Sequence, residues 1–168
     1  LGATAALGLT EPLYDELVAI KLVKPFQKNL LKKKAAMKTA IDGFGKLISY
    51  EVGDVTAAAT YYLAEIYYHF SRALTESERP DNLNAMELEQ YELAIEEQAF
   101  PFEEKAIATH EKNVELLTVG VPSLWIEKSI GKLATLVPAR YAKPEQRTGY
   151  VDSLGPFRLS FISRRPGS

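Results

Sequence analysis

The chain has 168 residues, of which 46% are hydrophobic and 25% charged, and it carries a formal net charge of −2. This length suits one ordinary domain, and the composition is that of a globular chain, which excludes a wholly disordered one. The near-neutral charge gives no overall attraction to nucleic acid, and the absence of cysteine excludes disulfides, thiolate metal sites and cysteine nucleophiles.

Proline and glycine divide the first half of the chain into three predicted helices. The first runs from Thr10, a capping hydroxyl before Glu11-Pro12, to about Leu22. The second starts at Pro25 and carries an apolar stripe at helical spacing: Phe26, Leu30, Met37, Ile41, Phe44 and Ile48. That stripe continues through Gly43 and Gly45, which therefore indicate close helix packing. The third helix runs from Val55 to about Glu76, after a stop at Gly53 and a cap at Asp54, with a core stripe of Ala59, Leu63, Ile66, Phe70 and Leu74.

Three further helices are predicted in the second half. Asn82 or Asn84 caps a glutamate-rich fourth helix, and Pro101 marks its end because proline disfavours helix at the residue before it. The fifth helix runs from there to about Thr118 and stops at Gly120. The sixth starts at Pro122-Ser123 and runs to Val137.

Six helices with short connections, and no other run of alternating apolar residues than a short one at 157–162, predict an all-α fold of stacked antiparallel helical hairpins. The helical domain covers residues 1–142, and residues 143–168 form an irregular basic tail. No apolar run of about eighteen residues is present, so no direct membrane span is expected.

Several segments resemble halves of a tetratricopeptide repeat (TPR). Residues 60–67 resemble the first helix of such a repeat, residues 106–116 resemble a second helix, and Trp125 starts another first helix. The tryptophan, leucine-glycine and tyrosine positions of the consensus do not all fall in register. The resemblance therefore implies degenerate TPR-like repeats, with the glutamate-rich helix as an insertion.

A longer set of motifs resembles the C-terminal region of large bacterial cell-envelope TPR proteins, of the kind associated with TonB-type or gliding systems. These motifs lie at 55–61, 65–67, 72–74, 78–80, 87–91, 96–106 and 138–141. The resemblance implies a non-catalytic protein–protein interaction scaffold in an envelope-associated complex, with a protein or peptide partner and a periplasmic or envelope location. The absence of cysteine suits cytosol and periplasm equally. We also expect the chain, which opens at Leu1, to be a piece of a longer TPR protein.

A second interpretation remains open beside the scaffold. The chain then serves as a structural C-terminal segment that caps the last repeats of a longer helical-repeat protein and has no ligand of its own. One sequence does not decide between the two, because they differ in what one helix face contacts.

No catalytic residue, metal ligand or cofactor is predicted. His69 follows Glu65 by one helical turn, but the chain lacks the paired Glu-x-x-His motifs of a helical di-metal site, and His110 lacks the second histidine of a zincin. Both histidines are therefore predicted to be structural, and the chain is not expected to be an enzyme. The lysines between Lys21 and Lys46 and the glutamates between Glu87 and Glu104 are interpreted as solvated faces that attract each other.

A tentative protein-binding surface is predicted on the third helix. Tyr61, Glu65, Tyr68 and Arg72 lie opposite the core stripe, where an inner TPR helix lines the concave groove. Tyrosine and arginine are also enriched at binding hot spots. The alternative, that these tyrosines pack on the inserted fourth helix, stays equally open.

Overall fold

A computed structural model describes residues 2–141 of the chain, and every regular element in that range is helical. The helices are α1 (Ala3–Ala19), α2 (Phe26–Ile48), α3 (Gly53–Thr75), α4 (Ala85–Glu115), α5 (Leu124–Leu136) and α6 (Pro138–Tyr141), and a 3-10 turn (Leu116–Val119) follows α4. The predicted all-α class is confirmed. The tail predicted at 143–168 lies outside the described residues. Within residues 2–141, no helix combines the length and apolar character that crossing a bilayer requires.

Helix α3 is the centre of the fold, because it contacts α1, α2, α4 and α5. Its small residues explain how four helices approach it. Ala57, Ala58, Ala59 and Ala64 are all fully buried, and a methyl side chain keeps the neighbouring backbones close. The predicted core stripe is confirmed at Ala59, Ile66, Phe70 and Leu74, which are buried, while Leu63 is half-buried and packs against the core.

Two apolar clusters join the helices. One connects α1 and α2 to α3 around Phe44 and Ile66, and the other connects α2, α3 and α4 around Phe70 and Ile95. Gly43 of α2 lies where α1 and α2 pack together, and a Cβ atom on it would stand 2.7 Å from Leu13 Cδ1 of α1. The predicted close packing is therefore correct at Gly43. A Cβ on Gly45 would meet nothing within 4 Å, so that glycine does not serve helix packing.

The predicted boundary at Pro101 is wrong, because α4 runs through it as one helix of 31 residues. Proline removes the hydrogen bond to the carbonyl of Glu97. Both Glu97 and Pro101 are exposed, so water can satisfy that carbonyl. Buried contacts at Ala99 before the proline and Ala106 after it hold the helix against α3 on both sides. This tertiary packing overrides the local preference of proline.

Other predicted ends are partly correct. Asn84 caps α4 through a capping box with Glu87, and Ser123 caps α5 through a hydrogen bond from the Trp125 amide. Gly120 ends the 3-10 turn at φ 77°, where glycine is favoured. The predicted start of α1 at Thr10 is wrong. The helix begins at Ala3, and the Thr10 hydroxyl donates a hydrogen bond to the Ala6 carbonyl within the helix.

Four further assignments are corrected. Gly53 is the first residue of α3 and not a stop, and Asp54 accepts a hydrogen bond from Ser123 at 2.7 Å without capping its helix. Ile48, placed in the stripe of α2, is exposed at the last residue of that helix. The last predicted helix was expected to run to Val137; α5 ends at Leu136, and a short α6 follows from Pro138.

Phe70 gives a direct test of the core assignment. It is 1% exposed, and its ring meets Phe102 edge-on at a centroid distance of 4.7 Å. We expect Phe70→Ala to lower the free energy of unfolding by about 3–5 kcal/mol, through lost burial and the cavity left behind. Urea unfolding followed by circular dichroism measures this loss. The control is Leu9→Ala at an exposed position; equal melting of both variants would place Phe70 outside the core.

Candidate functional site

A buried polar network links α3, α4 and α5. Glu65 on α3 is 7% exposed. Its Oε1 lies 3.2 Å from His110 Nε2 on α4, and its Oε2 lies 3.0 Å from Lys132 Nζ on α5. Burial raises the pKa of Glu65, but the hydrogen bonds from His110 and Lys132 outweigh burial and hold that pKa below its usual value. The carboxylate therefore stays ionised between two donors.

The network continues beyond the imidazole. His110 Nδ1 lies 3.0 Å from Ser129 Oγ, and Asn113 Nδ2 donates to that same oxygen at 2.8 Å and to the Trp125 carbonyl at 3.4 Å. These contacts are satisfied when His110 Nε2–H donates to Glu65 and the Ser129 hydroxyl donates to His110 Nδ1, an assignment made from the hydrogen-bond network. The amide oxygen of Asn113 has no partner within the described residues. Turning this amide over would place its oxygen against the Trp125 carbonyl, so the orientation with Nδ2 toward Trp125 is the favourable one.

This carboxylate–imidazole–hydroxyl chain has the connectivity of a hydrolytic triad. A nucleophile must meet its substrate, however, and both His110 and Ser129 are fully buried. None of the described cavities is lined by Ser129. The arrangement therefore serves packing between three helices. Sequence reasoning missed it because residues 65, 110 and 129 meet only in the folded chain; the one available signal was His110 on the apolar face of its helix.

The four residues of the predicted protein-binding surface do not line one open groove. Tyr61 packs against Trp125 and His110, with ring centroids 5.4 and 5.6 Å away. Glu65 belongs to the buried network. Tyr68 is half-buried, with Lys132 Nζ 5.0 Å from its ring centroid, and Arg72 is exposed and pairs with Glu76. Tyr61 and Glu65 thus pack on neighbouring helices, but against residues 110, 125 and 132 and not against the segment predicted as the fourth helix. The binding role of the four residues stays a prediction.

One lysine departs from the predicted solvated face. Lys33 is fully buried, and its ammonium donates to the carbonyls of Leu17 and Ile20 at 2.8 and 2.7 Å. It also lies 3.0 Å from His69 Nε2. Three acceptors thus surround three N–H groups at the C-terminal end of α1, where the helix dipole favours a cation. Burial, reinforced by the charge of Lys21, lowers the pKa of Lys33 to about 8, so the ammonium form still predominates at neutral pH.

His69 has a defined structural role in this contact. Burial and the positive charges of Lys33 and Lys21 lower its pKa to about 4. The ring is therefore neutral at pH 7, and its Nε2 accepts a hydrogen bond from the Lys33 ammonium. Lys33 and His69 line a cleft of about 300 Å³ between the end of α1 and the end of α3. Within residues 2–141 no group of three histidine, aspartate or glutamate side chains is arranged to hold a metal ion.

A second, more apolar groove of about 540 Å³ lies between the start of α2 and α4. Phe26, Leu30, Tyr91 and Ile95 form its apolar lining. On its rim, Lys24 pairs with Glu78 and Asp81, so the opposite charges there neutralise one another.

The outer face of α4 carries a row of exposed large apolar side chains. Met86, Leu93 and Phe100 are 69%, 56% and 61% exposed, respectively. They are seven residues apart and therefore share one side of the helix, opposite the buried Ile95 and Ala99. We call these three residues the outer stripe. Their seven-residue spacing was visible in the sequence, but their exposure was not.

A second apolar surface lies at one end of the bundle. The α2–α3 and α4–α5 connections meet there, because a Cβ on Gly53 would lie 3.1 Å from the Val121 side chain and because Ser123 donates to Asp54. Four exposed apolar side chains flank this contact along the chain, and we call them the end surface: Tyr50, Val52, Val119 and Leu124.

Comparison with known proteins adds no assignment: no family model, curated protein or solved structure matches this chain.

The buried network predicts a stability effect at Glu65. Replacing Glu65 by Gln removes the charge that both His110 and Lys132 contact, and each charge-assisted hydrogen bond contributes about 1.5–3 kcal/mol. We expect Glu65→Gln to lower the free energy of unfolding by at least about 1.5 kcal/mol. Denaturant titration at pH 7 measures the loss, and Glu96→Gln on the exposed face of α4 is the matched control. A Glu65→Gln chain as stable as the parent would show that the contacts contribute nothing.

The Lys33–His69 contact predicts a pH dependence. Because the pKa of folded His69 is about 4 against an ordinary 6.5, the unfolded chain binds more protons between those values. The stability that neutral His69 contributes is therefore complete above pH 6.5 and is lost as the pH falls toward 4. We expect the free energy of unfolding to fall by about 1–3 kcal/mol across this window. This is less than the whole pKa difference would give, because the ring is half-buried and solvent screens part of the effect.

The matched variant is His69→Gln, whose amide oxygen can accept from Lys33 without titrating. Unfolding free energies of parent and variant are compared from pH 7 to pH 4.5. The parent should lose more stability than the variant; parallel curves would contradict the assignment.

Proposed function

We propose that this chain is a non-catalytic scaffold that binds another protein. The observation that carries the proposal is the outer stripe, because large apolar side chains exposed in one row along a helix suit contact with a partner helix. The buried network argues in the same direction. Its only triad-like group is closed to a substrate, so catalysis has no support among the described residues. This scaffold uses α4 and not the Tyr61 face as its contact surface.

The resemblance to C-terminal regions of bacterial cell-envelope TPR proteins supports an envelope-associated partner, in the periplasm or at the envelope. Within this proposal, the chain presents a degenerate TPR-like helical stack. The glutamate-rich insertion of that stack, now part of α4, supplies the binding face.

The end surface favours a second candidate function. Four exposed apolar side chains at one end of a helical bundle suit the contact that one repeat makes with the next in a solenoid. In this alternative the chain caps a longer helical-repeat protein and holds no ligand of its own.

Paired variants separate the two candidates. Leu93→Ser/Phe100→Ser changes the outer stripe, and Val119→Ser/Leu124→Ser changes the end surface; all four positions are exposed, so both variants should keep the helical content of the parent. Each tagged chain is expressed in native cells, and the proteins bound to it are identified by mass spectrometry.

The scaffold proposal expects a partner that the outer-stripe variant loses and the end-surface variant keeps. The reverse pattern, with a helical-repeat protein as the one bound, would favour the capping function. Identical sets of bound proteins from parent and both variants would contradict the proposal.

A further inference from the structure

Resting on the proposed function, the structure assigns a chemical class to the partner: we propose that the outer stripe binds a basic amphipathic helix. The argument uses the geometry of the stripe, the charges beside it and the poor fit of other occupants.

The geometry favours a helix as the bound element. Met86, Leu93 and Phe100 extend about 21 Å along α4 at 1.5 Å per residue. Residues repeating every seven positions form a nearly straight seam on one side of a helix, and a partner helix packs along such a seam by inserting its own side chains between them. The seam is one residue wide, so it suits a single helix.

Glutamates flank the seam on both sides. Glu89 and Glu96 lie along one edge and Glu97 along the other, and all three are exposed. None of the ion pairs formed among residues 2–141 includes them. Charges beside the seam of paired helices determine which partner is accepted. A partner helix with lysine or arginine beside its apolar side chains would complement these glutamates and speed association.

A second copy of the chain fits this face poorly. If α4 packed along α4 of another copy, the same glutamates would face each other, and like charges juxtaposed at an interface oppose binding. The lysine-rich face of α2 has the right charge. Apart from Ile48 at the last position of that helix, however, Leu31 is the one large apolar side chain that α2 exposes. It therefore lacks a matching seam. Within the described residues, no ion pair joins α2 to α4.

The test uses synthetic peptides as probes of the full chain. The first is a fluorescein-labelled peptide of three heptads with leucine along one seam and lysine beside it. The second replaces the lysines by glutamate, and the third has the composition of the first in a scrambled order that destroys the seam. Fluorescence anisotropy at physiological ionic strength measures binding, because screening there reduces non-specific attraction.

We expect the leucine–lysine peptide to bind at least about tenfold more tightly than either of the others. Leu93→Ser/Phe100→Ser should weaken that binding at least about tenfold, whereas Leu9→Ser, which removes an exposed leucine on α1, should leave it unchanged. Glu96→Lys/Glu97→Lys should shift the preference toward the leucine–glutamate peptide. Together these results would establish both the seam and the charge requirement.

Three results would overturn the inference. Equal binding of the scrambled peptide would show attraction by charge alone. Binding unaffected by Leu93→Ser/Phe100→Ser would place the site elsewhere. Concentration-dependent dimerisation of the chain that this variant abolishes would identify a second copy as the occupant.

The two proposals fail in different ways. If the native partner is lost with the outer stripe but the leucine–lysine peptide does not bind, the scaffold function stands and the basic-helix inference is wrong. If no native partner depends on the outer stripe, the scaffold proposal fails whatever the peptides do.

Discussion

Helix α3 has to be buried on several sides at once, and the other contacts of the fold follow from that constraint. Its run of alanines lets α1, α2, α4 and α5 approach together. A helix covered in this way cannot keep all of its polar side chains in water. Glu65 is the example, because a carboxylate on this helix must find donors from α4 and α5. Burying a charge without a partner would cost several kcal/mol, of the order of the total stability of a small domain.

The buried polar contacts therefore depend on how the neighbouring helices are placed against α3. His110, Ser129 and Lys132 meet Glu65 only when α4 and α5 are correctly placed against α3. Lys33 likewise requires the end of α1 to be correctly placed, since its three acceptors come from α1, the connection that follows α1, and α3. Apolar packing supplies most of the stabilisation of such a domain, but it tolerates small shifts that these directional contacts do not.

Periodicity and cap residues predicted much of the helical organisation, because both are local properties of the sequence. The stripe through Ile66 and Phe70 and the cap at Asn84 are examples. At Pro101 and Lys33, rules based on local sequence gave the wrong prediction. Proline was expected to stop a helix that tertiary packing continues, and nothing local distinguishes the buried Lys33 from its solvated neighbours. The polar network could not be predicted, since it unites residues 65, 110 and 129 from three helices.

In the candidate site, too, local sequence predicted some features, and tertiary packing determined the others. The sequence places two tyrosines and two charged residues on a second side of α3, but whether that side meets solvent or other helices depends on where α4 and α5 lie. Those helices cover Tyr61 and Glu65 and leave the opposite side of α4 exposed. We therefore propose the outer stripe, and not the central helix, as the contact surface.

The most direct test of the account is photo-crosslinking in native cells. A photoreactive amino acid is placed at Leu93 in one chain, at Leu9 in a second and at Tyr61 in a third, and crosslinked proteins are identified by mass spectrometry. The account predicts a specific partner crosslinked from position 93 and absent from positions 9 and 61. A partner crosslinked from position 61 and not from 93 would contradict it.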